Sequence, residues 1–239
     1  MSELWSRLGF LAIALVVYRI GTHIPIPGIN PEQVAALFQQ SQGTILQYFN
    51  LFSGGALERM SIFALSVVPY ISSAIVMQLF SNSVPYLQEL KKDGQAGRNK
   101  ITQYTRYGTV IFALIQSSAL TVTLQTAGLI DAGSILSAFV AVISIVTGTM
   151  FLMWLGEQIS ERGIGNGISI IIATSIITGV PRAFGQALEQ TQQGDLNYLL
   201  LIVLAVLTLL VVAFVVFVEN AQRKITVNYA QRNQVRGMI

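Results

Sequence analysis

The chain alternates between long apolar stretches and short polar connections. A hydrocarbon core about 30 Å thick needs about 20 mostly apolar residues for each helical span. Six stretches meet this requirement, namely Leu8 to Ile26, Ile62 to Phe80, Tyr107 to Leu124, Ile135 to Leu155, Ile164 to Arg182 and Leu199 to Val218. The pattern therefore predicts an all-α, polytopic helical membrane protein.

A segment that is too polar to cross a bilayer leads directly into the second predicted span. Within the stretch from Gly43 to Ser81, the apolar pattern is broken by Asn50, by Gly54–Gly55 and by Glu58–Arg59. Backbone groups left unpaired in hydrocarbon cost several kcal/mol each, so a segment of this kind must be buried in protein or line a cavity. The segment is therefore predicted to be re-entrant, and a filled cavity is a first indication of a channel.

The composition supports a membrane protein and argues against an enzyme. Hydrophobic residues make up 53% of the chain and charged residues 10%, whereas soluble domains contain about 25% charged residues. The sequence has no cysteine, which excludes disulfides and thiol chemistry. It has one histidine, His23, no paired carboxylates within a predicted span and no nucleotide-binding motif. We expect no catalytic residue, no cofactor and no metal site.

Positive charges occupy alternate connections, and this predicts the orientation. The connection between spans two and three and the stretch after span six are basic, whereas the connection from Gln125 to Ser134 contains neither Lys nor Arg. The basic residues are Lys91, Lys92, Arg98, Lys100 and Arg106, and then Arg223, Lys224, Arg232 and Arg236. Cytoplasmic connections are enriched in Lys and Arg, so both termini are predicted to be cytoplasmic. A patch that binds nucleic acid or lipid is the alternative.

Three spans differ from simple membrane anchors. Span two contains Pro69, which is expected to kink it. Span five is short and is preceded or opened by Gly163, Gly165 and Gly167. Span one carries Arg19 near its outer end, where a long side chain can extend to the interface. Since span six runs opposite to span one, it is predicted to begin an inverted second copy of the architecture.

Branched aliphatic residues occur one helical turn apart near the middle of spans two and five. The pairs are Val67 with Ile71 and Ile172 with Ile176. Residues four apart share a helix face, so each pair could contribute to an apolar constriction, which blocks ions by dewetting. Ordinary helix packing produces the same spacing and, on spacing alone, is the commoner reason for it.

Six motifs, distributed over nearly the whole chain, resemble one family. They are IPIPG at Ile24–Gly28, FSGGAL at Phe52–Leu57, QYTRYG at Gln103–Gly108, GTM at Gly148–Met150, WLGEQ at Trp154–Gln158 and ERGIGNGIS at Glu161–Ser169. Together they resemble the SecY family, the channel subunits of the bacterial Sec protein translocase. The resemblance implies the first half of an inverted-repeat channel over residues 1–182, followed at 183–239 by a sixth span and the start of a cytoplasmic loop.

The resemblance also implies roles for particular residues. The re-entrant segment at about 49–59 resembles the plug that closes the channel from outside, and the aliphatic pairs resemble part of the pore ring. The implied plug residues are Phe49, Asn50, Phe52, Ser53, Gly54, Gly55, Leu57 and Arg59, and those of the ring are Val67, Ile71, Ile172 and Ile176. Ser72 and Gln116 resemble the polar lining of a lateral gate, although hydrogen bonds between helices are the commoner role of such residues.

The function implied is passage of unfolded secretory polypeptide across the bacterial inner membrane, with lateral release of membrane segments into the lipid bilayer. The implied partners are SecE, SecG, the SecA motor ATPase, the ribosome, and signal sequences with their nascent polypeptides; no sequence-specific nucleic acid is expected. The chain is then the N-terminal part of a larger channel. One alternative is half of a small-solute secondary transporter, which the lack of midplane charge disfavours. Another is a structural subunit, which would tolerate bulky residues in place of Gly54–Gly55.

Overall fold

The structure, a computed structural model, describes residues 2–29, 33–36, 45–130, 135–192 and 197–221. The chain divides into two compact units, Met1–Arg182 and Ala183–Ile239. The helices of the described residues are α1 (Ser2–Gly21), α2 (Ile45–Phe52), α3 (Val68–Ser83), α4 (Pro85–Lys92), α5 (Gly94–Thr126), α6 (Ile135–Arg162), α7 (Gly167–Gln192) and α8 (Tyr198–Glu219). Residues 33–36 are also helical. The predicted all-α architecture is confirmed for this part of the chain.

Five helices of the described residues are long and apolar enough to cross a membrane. They are α1, α5, α6, α7 and α8, which correspond to five of the six predicted spans. Two are longer than predicted. Helix α5 has 33 residues, so it extends back through the basic connection to Gly94. Helix α7 has 26 residues and is not the short span that the sequence pattern indicated. The cations predicted after span six lie outside the described residues.

The prediction for the second span is wrong in its first part. Residues 62–67 form turns, and helix α3 begins only at Val68. Its 16 residues are about 24 Å long at 1.5 Å per residue, less than the hydrocarbon thickness of about 30 Å. Pro69 lies in the first turn of α3, where its missing N–H interrupts no helical hydrogen bond. It therefore begins the helix and does not kink it.

The turns at 53–67 pair with the extended chain that follows α1. Pro25 and Ser61 form an antiparallel bridge. The N–H of Ile26 donates to Met60 O at 2.9 Å, and the N–H of Ile62 donates to Ile24 O at 3.0 Å. These bonds pair backbone groups that have no partner within a helix, and buried backbone groups require such partners.

Two apolar clusters form the core of the first unit. One joins the chain that follows α1 and the 53–67 turns to α5 and α6, and consists of Ile26, Ile29, Val34, Leu57, Met60, Ala64, Leu124, Ile130, Ala141 and Ile145. The other joins α1, the turns, α6 and α7, and consists of Ala14, Tyr18, Ala56, Phe63, Val67, Leu152, Leu155, Ile159 and Ile171. Both clusters include residues of the predicted re-entrant segment, so that segment is part of the core.

Candidate functional site

The predicted plug folds into a closed turn that its own polar groups hold together. The N–H of Gly55 donates to Asn50 O at 2.9 Å. The Asn50 side chain accepts from the N–H of Glu58 at 3.0 Å and donates to Glu58 Oε2 at 3.1 Å. The Ser53 hydroxyl accepts from the N–H of Leu57 at 3.1 Å. The segment's own polar groups therefore satisfy several of the backbone groups that follow α2.

One side of the plug is buried and the other is open. Ala56 and Leu57 are buried, whereas Phe49 and Phe52 are each 46% exposed. The predicted plug residues therefore differ in their burial. The phenylalanines lie in or at the end of α2, and the small residues that follow make the tight contacts.

Two arginines converge on one carbonyl of the plug. Arg59 Nη2 donates to Gly54 O at 3.1 Å, and Arg19 Nη1 donates to the same oxygen at 3.4 Å. Arg19 also lies 3.5 Å from the hydroxyl of Thr178 on α7, and Arg59 Nε lies 3.4 Å from Thr22 O. The expectation that Arg19 extends to the interface is wrong, because its guanidinium instead links α1 and α7 to the plug.

Gly54 has a backbone conformation that favours glycine and packs closely against α7. Its φ is +64°, in the left-handed region. A Cβ at this position would lie 3.2 Å from the Cα of Ser175 on α7, which is closer than ordinary van der Waals contact. The plug backbone therefore packs directly against the backbone of α7.

Tyr18 is a contact of the plug that the sequence analysis missed. Its side chain is fully buried, and its hydroxyl lies 3.4 Å from Ser53 O and 2.5 Å from Ser175 Oγ. Its ring stacks on Phe63 with centroids 6.1 Å apart. The sequence feature that could have identified Tyr18 is a tyrosine within an apolar span, because a buried phenol needs a hydrogen-bond partner.

Three of the four predicted ring residues meet in one apolar cluster. Val67 is buried in the cluster shared by α1, the turns, α6 and α7, and Ile71 and Ile172 pack against it. Ala56 of the plug belongs to the same cluster. Among the described residues this cluster does not include Ile176, which is half-buried. Val67 immediately precedes α3, and its carbonyl accepts the Ile71 N–H at 3.1 Å, so the two residues lie one helical turn apart.

The predicted gate residues are both half-buried, Ser72 on α3 and Gln116 on α5. The polar contact between these helices comes from the neighbouring residue. Ser73 is buried, and its hydroxyl donates to Thr105 O on α5 at 2.7 Å. The sequence analysis did not single out Ser73, which makes this contact between α3 and α5.

An ion pair links α5 to α6. Arg106 Nε donates to Glu157 Oε1 at 2.8 Å, and Arg106 Nη2 donates to Glu157 Oε2 at 2.9 Å. The sequence analysis placed Arg106 in a cytoplasmic connection, whereas the structure shows it within α5. No group of three or more His, Cys, Asp or Glu residues that could hold a metal ion occurs within the described ranges.

Long apolar helices around a buried, non-helical segment define a polytopic helical membrane protein with a re-entrant element. A family model described as SecY matches residues 61–239. The chain belongs to the SecY family.

Curated relatives extend the match to almost the whole chain. The protein translocase subunit SecY of Pseudomonas aeruginosa is 56% identical over 236 residues, covering 99% of this chain and 53% of that protein. The Escherichia coli K12 subunit of the same name is 54% identical over 240 residues, covering 99% of this chain and 54% of that protein. The chain thus spans about half the length of these relatives.

Two solved structures share the fold. A structure described as that of a protein conducting channel has a TM-score of 0.64 at 19% identity, covering 92% of this chain and 48% of that one. Sec61 in the canine ribosome-channel complex from the endoplasmic reticulum also has a TM-score of 0.64, at 20% identity, covering 93% of this chain and 49% of that one. The re-entrant arrangement therefore belongs to a fold with known examples.

Proposed function

We propose that this chain forms part of a protein-conducting channel. The channel passes unfolded secretory polypeptide across the bacterial inner membrane and releases membrane segments sideways into lipid. The observation that supports this proposal most directly is that Ala56 of the plug lies in the same apolar cluster as Val67, with Ile71 and Ile172 packed against it. A re-entrant segment that fills an apolar constriction is what a closed channel requires.

The aliphatic side chains suit a pore that must pass any sequence. Val67, Ile71, Ile172 and Ile176 offer no side-chain hydrogen bonds that would hold a passing polypeptide. A narrow apolar ring also excludes ions by dewetting when no polypeptide fills it. Ile176 is assigned to the ring from family resemblance and its position one turn after Ile172, not from membership of the cluster.

The plug is proposed to close this ring and to leave it when polypeptide enters. Its polar contacts with α1 include two long ones, the 3.4 Å contacts of Tyr18 and Arg19. Hydrogen bonds of this length are weak. Its internal bonds at Asn50 and Ser53 can persist during movement, so the turn can shift as a unit.

The lateral gate is proposed to lie along α3 and α5. Ser72 and Gln116 are half-buried on these helices, so both can face a passage that opens toward lipid. The bond from Ser73 to Thr105 would keep α3 and α5 together as one wall. Signal sequences and membrane segments would pass along this wall.

We further propose that other proteins supply the energy and complete the channel. The expected partners are SecE, SecG, the SecA motor ATPase and the translating ribosome; the similarity to Sec61 in a ribosome-channel complex supports the last of these. We expect the chain to lie in the inner membrane with its N-terminus on the cytoplasmic side. The exposed cations Lys91 and Lys92 at the end of α4 are on the side predicted to face the cytoplasm.

Photo-crosslinking in a translocase that contains this chain tests the proposal. A photoreactive residue at Ile71 or Ile172, with a secretory polypeptide stalled during export, should give strong adducts to that polypeptide. Ile13 on α1, 67% exposed, is the matched isoleucine control and should react with lipid. Adducts from Ile71 and Ile172 only to neighbouring helices would contradict a polypeptide pore and favour a small-solute transporter.

A further inference from the structure

The hydroxyl of Tyr18 lies between the plug and α7. It is 3.4 Å from Ser53 O of the plug and 2.5 Å from Ser175 Oγ of α7. Ser175 Oγ is in turn 2.8 Å from Ile171 O. Tyr18, Ser53 and Ser175 are all buried. Each of the Tyr18 and Ser175 hydroxyl hydrogens must therefore find its acceptor among these groups.

Two arrangements use both hydroxyl hydrogens and also place one of them between the Tyr18 and Ser175 oxygens, which are 2.5 Å apart. A tyrosine hydroxyl has one hydrogen to donate, and so has a serine hydroxyl. In the first arrangement Ser175 donates to Tyr18, and Tyr18 donates to Ser53 O. In the second, Tyr18 donates to Ser175, and Ser175 donates to Ile171 O. Both hydroxyl hydrogens are used in each case, but only the first holds the plug.

The Ser53 carbonyl oxygen of the plug keeps a hydrogen-bond partner without Tyr18. Ser53 O also accepts from the N–H of Ala56 at 3.3 Å, so the second arrangement leaves it bonded. The Tyr18 ring is fixed by its stack on Phe63, with an interplanar angle of 7°. Exchange between the arrangements therefore needs only rotation of two hydroxyl hydrogens.

We propose that Tyr18 is a positioning residue that holds the plug closed through a hydrogen bond which it can transfer to Ser175 when the plug leaves. This inference rests on the proposed function of the 49–59 segment as a plug. The transfer lowers the free-energy cost of opening, because no buried donor remains unpaired after release. Tyr18 thus favours the closed channel without making it irreversible.

Substitutions at the two hydroxyls should act in opposite directions. Tyr18→Phe keeps the ring stack and removes the 3.4 Å bond to the plug, so ion leak through the resting channel should rise about 2-fold, the low end of the range for one net hydrogen bond because this bond is long. Ser175→Ala removes the alternative acceptor, so opening would leave the Tyr18 hydroxyl unpaired and resting leak should fall. The double variant should behave like Tyr18→Phe.

Resting and polypeptide-triggered ion conductance of a translocase containing this chain, in planar bilayers, tests the inference. The matched control is Tyr198→Phe, which removes an exposed hydroxyl on α8 and should leave both conductances unchanged. Leak that changes in the same direction in both single variants, or in neither, would overturn the role of Tyr18 while polypeptide-triggered conductance persists. Absence of triggered conductance in the unsubstituted protein would instead reject the channel itself, and this inference with it.

Discussion

Tyr18 and Arg19 are adjacent on α1, and both direct polar groups toward the plug. Tyr18 contacts Ser53 O, and Arg19 donates to Gly54 O, 35 positions away in the sequence. The sequence indicates a turn at the adjacent glycines Gly54 and Gly55. It cannot identify the partners of that turn, since an arginine near the end of a span ordinarily extends to the interface. Contacts between distant segments decide its orientation here.

Gly148 gives a prediction about stability at the same scale. A Cβ at Gly148 on α6 would lie 1.9 Å from Ile62 O, so Gly148→Ala must push α6 away from the turns that precede α3. We expect the free energy of unfolding to fall by about 1–3 kcal/mol, as for overpacked cores. Thermal unfolding of the purified protein in detergent measures this.

Gly9→Ala is the matched control for Gly148→Ala. Nothing lies within 4 Å of a Cβ at Gly9 on α1, so this variant should be as stable as the unsubstituted protein or slightly more so, because alanine favours helix. Equal stability of the two variants would show that the close approach at Gly148 contributes nothing.

Among the elements, the second predicted span shows where the sequence pattern is insufficient. Residues 62–67 are mostly apolar and continue the pattern of α3, yet their backbone turns. Ser66 has a φ of +51° and Met60 a φ of +42°, a conformation that costs a non-glycine residue about 1–2 kcal/mol. The surrounding contacts offset this cost. Met60, for example, is fully buried and its carbonyl accepts from Ile26. Apolar periodicity carries no information about such contacts.

The ion pair between α5 and α6 gives a prediction for the packing of these elements. Arg106 is 46% exposed and Glu157 is 19% exposed, so solvent screens the pair and its contribution is modest. Glu157→Gln should lower the free energy of unfolding by about 0.5–1 kcal/mol at low salt, and the loss should shrink at about 1 M salt. Thermal unfolding at the two salt concentrations measures both effects.

Glu161→Gln serves as the control for this pair, because Glu161 is exposed one turn further along α6. It should leave the unfolding temperature unchanged at either salt concentration. If Glu157→Gln and Glu161→Gln behave alike, the bidentate contact with Arg106 does not stabilise the packing of α5 against α6.

At the scale of the whole molecule, the proposed account depends on whether the plug must move. Composition, charge distribution and span length were sufficient to predict a polytopic helical membrane protein, because a bilayer imposes them on any chain that crosses it. The position of the plug depends on its tertiary contacts with α1 and α7, and these link segments far apart in the sequence. Preventing that movement therefore tests the central claim.

A disulfide between the plug and α7 is the most direct test. A Cβ at Gly54 would lie 3.4 Å from Ser175 Cβ, close to the separation of about 3.5–4.5 Å in disulfides. Since the chain has no cysteine of its own, Gly54→Cys with Ser175→Cys introduces a single defined pair. The two single substitutions are the controls for strain and for loss of the Ser175 hydroxyl.

The measurement is export of a secretory polypeptide by a translocase containing the double variant, before and after oxidation. If the plug must leave the constriction, oxidation should stop export, reduction should restore it, and neither treatment should affect the single variants. Continued export with the disulfide shown to be intact on a non-reducing gel would contradict the account.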